Sequence, residues 1–317
     1  MSTEYKLNYV DSPYFVYGTL KPEEIAFYQI KELVEKIKPA VLKDYALYVR
    51  DGIPVIFQAH NNNVDGFLLW SKKLEADEFA RRIKSYEGER LYALKEVEVI
   101  YESNKINSLT HVGKNPLGSY AEPLDKPWSS ASDPIFSKSF PSLFSQIKKV
   151  VKNNFSPGPE IDDWNYYNDI TSKYLLLITI VERLAFLYCG DTFTSAKEKE
   201  NGKIDYNDRI MKRITTLGTS EQFLDAFRTI ESKGLISNIK VFDSRDARKS
   251  LSTKKPKEAL EAWYQVRSNL QHRGKSAMQD VEKVQGSLIG LANVMSVLLP
   301  KFIPLLENTN TYKQLNL

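Results

Sequence analysis

Two groups of residues carry side chains fit for acid–base chemistry. The first is the run Phe15-Val16-Tyr17-Gly18-Thr19-Leu20, a β-rich stretch that stops on a glycine, together with Glu87 in Tyr86-Glu87-Gly88-Glu89. A glycine at a strand end lets successive backbone N–H groups turn outward into a concavity that suits a carboxylate or another anion. Glu87 ends an amphipathic stretch with Tyr86 beside it, so partial desolvation would tune its carboxyl as a base. Both features have plainer readings, a structural turn for Gly18-Thr19 and a solvated helix-end glutamate for Glu87.

The second group lies in Trp263-Tyr264-Gln265-Val266-Arg267-Ser268-Asn269-Leu270-Gln271-His272-Arg273-Gly274-Lys275. On a helix Asn269 and His272 are neighbours at i, i+3, whereas Arg267 and His272 lie about 140° apart. Those two converge only at a distorted helix end or across a second helix. Gly274 makes a terminus there, where the negative end of the helix dipole favours a protonated, transfer-ready histidine. Arg267 offers a planar fork for a phosphodiester, and Arg273 and Lys275 add phosphate-directed charge. A capping histidine beside a glycine would need no catalytic role.

The elements that must position these groups differ between the halves. From Tyr14 to Tyr101 the pattern is α+β, with strand signals at Tyr14–Tyr17, Tyr45–Val49, Pro54–Gln58, Asp65–Trp70 and Ala93–Tyr101, and a further one at Leu109–Val112. Helical spacing covers Ile25–Ile37 and Leu74–Tyr86; Asp51-Gly52 reads as a turn and Asn61-Asn62-Asn63 as a break. Residues 116–159 carry seven prolines and many serines, with Phe144–Val151 as the one plausible helix, and read as a connector between domains 1–115 and 160–317. Beyond Asp162 the spacing is helical at Ile170–Tyr188, Asn207–Leu217, Ser220–Lys233, Pro256–His272 and Ser276–Leu299, which predicts an all-α bundle.

Composition narrows the classes. The 317 residues are 42% apolar and 26% charged, an ordinary folded profile. A single cysteine, Cys189, excludes an internal disulfide and a Cys-rich zinc site, and suggests a reducing cytoplasm; on an apolar helix face it reads as a buried, inert thiol. With three histidines and no phosphate-loop or zinc motif, neither a metal nor a cofactor is expected. No stretch reads as a signal or membrane span. The net charge of +4 is small, yet residues 243–275 hold nine basic against four acidic side chains, a bias that suits RNA or a solvated lysine-rich face.

Residues 14–115 resemble the γ-glutamylcyclotransferase-like, or AIG2-like, family. The resemblance rests on Phe15–Lys21, Leu47-Tyr48 with Asp51-Gly52-Ile53-Pro54, Val64-Asp65-Gly66-Phe67, Tyr86-Glu87-Gly88 with Tyr92, and Leu109-Thr110-His111-Val112. It implies a small β-barrel with flanking helices, a cavity floored by Tyr17, Gly18, Thr19 and Leu20 that holds a small γ-glutamyl-like or carboxylate ligand, and Glu87 as the base that starts 5-oxoproline formation. Pro22-Glu23-Glu24 replaces the family's glycine and small polar loop and sets two acidic groups beside that cavity.

Residues 160–305 resemble the HEPN domain, marked by an arginine, a polar residue and a histidine after four to six positions. Arg267 and His272 fit, with Ser268 where many members have asparagine. This resemblance implies a homodimer through the helical domain and metal-independent RNA cleavage, His272 moving the proton, Arg267 holding the phosphate and Asn269 orienting either. The leading expectation is therefore a cytoplasmic ribonuclease controlled by the N-terminal domain. A γ-glutamyl-amine cyclotransferase with a dimerising helical half, and a non-catalytic ligand sensor, are the alternatives.

Overall fold

The computed structural model describes residues 12–87, 91–114, 121–151, 161–190, 206–242, 250–272 and 281–313. The chain divides into two compact units, Met1–Ser132 with Leu187–Lys197, and Asp133–Phe186 with Glu198–Leu317.

In the first unit β1 (Tyr14–Val16) precedes two 3-10 turns, Ile25–Gln29 and Lys31–Leu33, and a long antiparallel hairpin of β2 (Val34–Arg50) and β3 (Ile53–Ser71). Helix α1 (Ala76–Glu87), the hairpin β4 (Tyr92–Tyr101) and β5 (Asn104–Gly113), and the short β6 (Ala121–Pro123) follow. The strands form one sheet in the order β3-β1-β5-β4-β2-β6, with β2 also paired to β3. Asp51 and Gly52 join β2 to β3 with φ of 54° and 73°, the left-handed pair that a two-residue hairpin turn needs.

Successive side chains of a strand point to opposite faces, and β1 uses both. Phe15 packs with Leu42, Ile56, Leu68 and Val99, whereas Tyr14 and Val16 pack with Phe27, Leu69, Phe79 and Ile83. Phe79 and Ile83 are buried positions of α1, four residues apart on one helix face. The central strand thus fixes where α1 lies and where its last residue, Glu87, ends.

The helix expected over Ile25–Ile37 is absent. Its first part forms the two 3-10 turns, and from Val34 the chain is already strand, paired with Ser71 and Trp70. Cross-strand pairing with β3 overrides a helical spacing that isolated propensity cannot enforce. Asn61–Asn63 do not break the chain either. They lie within β3, where Asn61 (φ 64°) faces a register shift at Lys43/Tyr45 containing Asp44 (φ 60°), and the Asn61 N–H donates to the Asp44 carboxylate at 3.1 Å. The β4–β5 turn, Glu102-Ser103, adopts left-handed φ at both positions without glycine.

The described part of the proline-rich stretch packs against the first unit's sheet. β6 pairs with Tyr48–Arg50, and Trp128 joins the core around Phe15. Proline withholds a ladder donor but leaves its neighbours free to bury their side chains.

The second unit holds α2 (Phe140–Val151), α3 (Ile161–Cys189) up to Phe186, α4 (Tyr206–Gly218), α5 (Glu221–Glu231), α6 (Pro256–His272), α7 (Val281–Phe302) and α8 (Asn310–Lys313). The Ser220 side chain caps α5 by accepting from the Phe223 N–H at 3.2 Å. Trp263 of α6 is buried against Phe227 and Gly290. The expectation of an all-α half needs one correction: β7 (Lys240–Phe242) and β8 (Ser250–Ser252) form a two-stranded antiparallel sheet. Each strand has three residues, too short for a periodicity signal. Among the described residues no helix is long and apolar enough to cross a membrane.

Gly66 of β3 tests the packing of β1. A Cβ there would stand 2.3 Å from the Val16 carbonyl oxygen and 2.6 Å from the Phe15 ring. Gly66→Ala should destabilise the first unit by roughly 1–3 kcal/mol, read as a lower denaturation midpoint; an unchanged midpoint would contradict this close approach.

Candidate active site

Glu87 is the last residue of α1, carried there by the helix face that buries Ala76, Phe79 and Ile83. It is half-buried, and loss of water around its carboxyl raises the pKa from the ordinary 4.5 to about 8. Its place at the helix C-terminus acts in the same direction, because the helix dipole disfavours an anion there. At neutral pH the group is therefore mostly protonated, and its carboxylate, where formed, is a far stronger base than an exposed glutamate.

Tyr17 lies within electrostatic reach of this carboxyl, and Thr19 hydrogen-bonds the phenol of the adjacent Tyr86. Burial raises the Tyr17 phenol well above its ordinary value, and Tyr92 and Glu87 push it further the same way. Tyr17 stays neutral and donates to the His111 carbonyl at 2.8 Å. Gly18 is required by proximity rather than by φ, since a Cβ would meet the Pro54 ring at 2.3 Å. Pro54 in turn accepts from the Tyr92 hydroxyl at 3.2 Å, so one residue of β3 braces both the loop and β4. The loop closes on itself, Lys21 N–H donating to Gly18 O at 3.0 Å and Ala26 N–H to Thr19 O at 3.1 Å. Tyr17 to Lys21 are all buried.

Behind the loop, His111 is buried and hydrogen-bonded through Nδ1 to the Tyr14 hydroxyl. Burial, then the charge of Lys114, lowers its pKa to about 4, so the ring is neutral at physiological pH and serves as a structural partner. Arg50, the last residue of β2, lies within electrostatic reach of Tyr17 and donates to the Leu91 and Lys114 carbonyls, each at 3.4 Å. Sequence reasoning passed over Arg50; its position immediately before Asp51-Gly52 was the available signal.

The two acidic residues after the loop do not crowd it as expected. Glu24 is 4% exposed, and its carboxylate accepts from the Ser130 N–H at 3.0 Å and from the Ser130 hydroxyl. Lys21 Nζ donates to the Trp128 carbonyl at 2.5 Å. These bonds fasten the end of the proline-rich stretch to the loop. Glu23 points to solvent. A groove of about 570 Å³ lies nearby, lined among others by Lys21, Ala40, Gly66, Phe67 and Glu102, but none of Tyr17, Gly18 and Glu87 lines it.

Residues 14–130 match the family model described as gamma-glutamyl cyclotransferase, AIG2-like. They form an AIG2-like domain. No curated protein matches the chain. Among solved structures, the chain is similar to an uncharacterized protein, PH0828, from Pyrococcus horikoshii, at 20% identity over 36% of this chain and 86% of that one with a TM-score of 0.28. It is also similar to At3g28950.1 from Arabidopsis thaliana, at 21% identity over 48% and 89% with a TM-score of 0.29. A third, titled gamma-glutamyl cyclotransferase, shows 16% identity over 49% and 96% with a TM-score of 0.27. Likeness at this level adds nothing to the geometry of the site.

The second expected constellation acquires no support from these comparisons, and the geometry of its described members is self-contained. The Arg267 guanidinium stands 3.6 Å from the Glu182 carboxylate and 5.3 Å above the Tyr264 ring, and the Tyr264 hydroxyl donates to the same carboxylate at 2.9 Å. Glu182 projects from α3 toward α6, so this arginine meets a carboxylate of its own bundle. Asn269 accepts from Gln265 Nε2 at 3.1 Å. The side chain of His272, and Arg273 and Lys275, lie outside the described residues. Cys189 is buried in the last turn of α3.

The raised Glu87 pKa makes stability depend on pH with a definite sign. Below about 4.5 the carboxyl is protonated folded or unfolded; as pH rises toward 8 only the unfolded chain ionises, and stability is lost. Glu87→Gln should remove a decline of roughly 3–5 kcal/mol between about pH 5 and 9, measured by denaturant unfolding across that range; equal slopes for the two proteins would contradict the desolvated carboxyl.

Proposed function

We propose that the AIG2-like domain cyclises γ-glutamyl amines or amides, releasing 5-oxoproline and the free amine. The observation that carries this reading is Glu87, a carboxyl kept from water beside the Tyr17–Leu20 loop in a segment that matches the gamma-glutamyl cyclotransferase family model. The chemistry asks for a base that can take a proton from an α-ammonium group near neutral pH. A solvated glutamate is too weak, whereas one titrating near 8 is matched to the task.

In this mechanism the Glu87 carboxylate removes a proton from the substrate's α-ammonium group. The freed amine attacks the γ-carbonyl carbon, forming the ring C–N bond and a tetrahedral oxyanion. Collapse of that oxyanion breaks the original C–N bond; the protonated Glu87 gives its proton to the departing amine nitrogen, and the ring nitrogen, left cationic by the attack, passes its second proton to the released amine, leaving the neutral lactam. No water is consumed and no redox change occurs. The Tyr17–Leu20 loop supplies the concave floor, and Arg50, within reach of Tyr17, gives the neighbourhood a positive charge that draws the α-carboxylate.

The test is release of 5-oxoproline by the full-length protein from a panel of γ-glutamyl amines and amides. Glu87→Gln should lower the rate by about 10²-fold or more. The rate should rise with pH on a single limb with an apparent pKa near 8, because the active form is the carboxylate. Silence across the panel, or full activity in Glu87→Gln, would remove this reading.

A further inference from the structure

The family match ends at residue 130, yet the first unit also contains Leu187–Lys197, whose described part is the last turn of α3 and the glycine after it. This turn meets the site at Tyr86, the residue bonded to Glu87. The Tyr86 hydroxyl donates to the Leu187 carbonyl at 2.8 Å. Leu187 lies among the last four residues of α3, whose carbonyls have no partner within the helix, so the phenol satisfies a group that would otherwise need water. The same phenol shares a hydrogen bond with the Thr19 side chain. Gly190 follows with φ 63°, the left-handed residue that stops a helix, and a Cβ on it would stand 2.5 Å from the Tyr86 carbonyl oxygen and 2.6 Å from its ring. The helix end therefore presses on the Tyr86–Glu87 peptide, while the phenol ties the turn to the Tyr17–Leu20 loop.

We propose that Tyr86 is a positioning residue for Glu87, held in place by Leu187 and Gly190, a wall of the site supplied from outside the family-matched segment. Deletion of any contact in this clamp lets the Glu87 carboxyl swing toward water and away from the loop. The role as base rests on the cyclotransferase reading; the clamp does not. Among the described residues, groups acting at this corner are Tyr17 after β1, Arg50 of β2, Tyr92 of β4, Tyr86 itself and Cys189 of α3. Arg50 is the fixed charge of this set, and it sits on β2, apart from the clamp, so movement of Glu87 itself is what the variants change.

The experiment uses the full chain with carbon-13 in the glutamate carboxyl groups, Glu87→Gln identifying the Glu87 signal. Three variants are compared: Tyr86→Phe, which removes the hydroxyl; Gly190→Asn, which tolerates left-handed φ but adds the colliding Cβ; and Gly234→Asn as control. Gly234 has φ 72° with open space around its Cβ position, so the control carries the same backbone strain with no contact. Tyr86→Phe and Gly190→Asn should each move the Glu87 midpoint down by at least one pH unit and lower kcat for 5-oxoproline release about tenfold or more, with KM within about twofold. Gly234→Asn should do neither. A Glu87 midpoint in folded Tyr86→Phe and Gly190→Asn equal to that of the unaltered protein would overturn the clamp; should Gly190→Asn not fold, Tyr86→Phe decides alone. If the unaltered protein releases no 5-oxoproline, the cyclotransferase reading falls and the titration still decides the clamp.

Discussion

A carboxyl group held away from water is the physical constraint around which the first unit is arranged. Keeping Glu87 desolvated costs free energy whenever it ionises, and the surrounding packing must offset that cost. The packing is made by close backbone approaches. Gly18 admits Pro54, Gly66 admits Val16 and Phe15, and Gly190 admits Tyr86. Each brings main chain where a side chain would stand. Of the three, the Gly190 approach lies against Tyr86 at the end of α1.

The long β2–β3 hairpin is what makes these approaches possible. Its turn at Asp51-Gly52 brings Arg50 and Pro54 to one end of the sheet, and Pro54 contacts both the Gly18 loop and Tyr92. His111, neutral and buried, ties to Tyr14, while its carbonyl receives the Tyr17 phenol. Neutral hydrogen bonds of this kind hold the loop without adding charge that would pull the Glu87 pKa back toward its ordinary value. Glu24, one of the two acidic residues expected beside the loop, is engaged by Ser130 instead.

The helical half contributes a different lesson. Arginine, asparagine and histidine at the right spacing on one helix resemble a phosphodiester-cleaving set, but spacing constrains only neighbours on that helix. Glu182 belongs to another helix, eighty-odd positions earlier, and its carboxylate lies 3.6 Å from the Arg267 guanidinium and accepts from the Tyr264 hydroxyl. A carboxylate that close competes with any phosphate for the arginine. Local pattern and long-range partner are separate facts, and the second outweighs the first.

Local physics settled several features of this chain from its letters alone. The spacing of Phe79 and Ile83 made α1, the Asp51-Gly52 pair made the hairpin turn, and the β-rich run before Gly18 made β1; each depends on residues within a few positions of one another. Even the candidate base was visible, because a glutamate at the end of an amphipathic stretch with Tyr86 beside it is placed for partial desolvation. Tertiary packing alone decided that Ile25–Ile37 would be turns and strand, that the Asn61–Asn63 run would sit inside β3, and that Glu24 would face Ser130. It alone carried Gly190 to Tyr86 across more than a hundred residues. Such choices depend on partners remote along the chain, whose desolvation and fit have no trace in any local window.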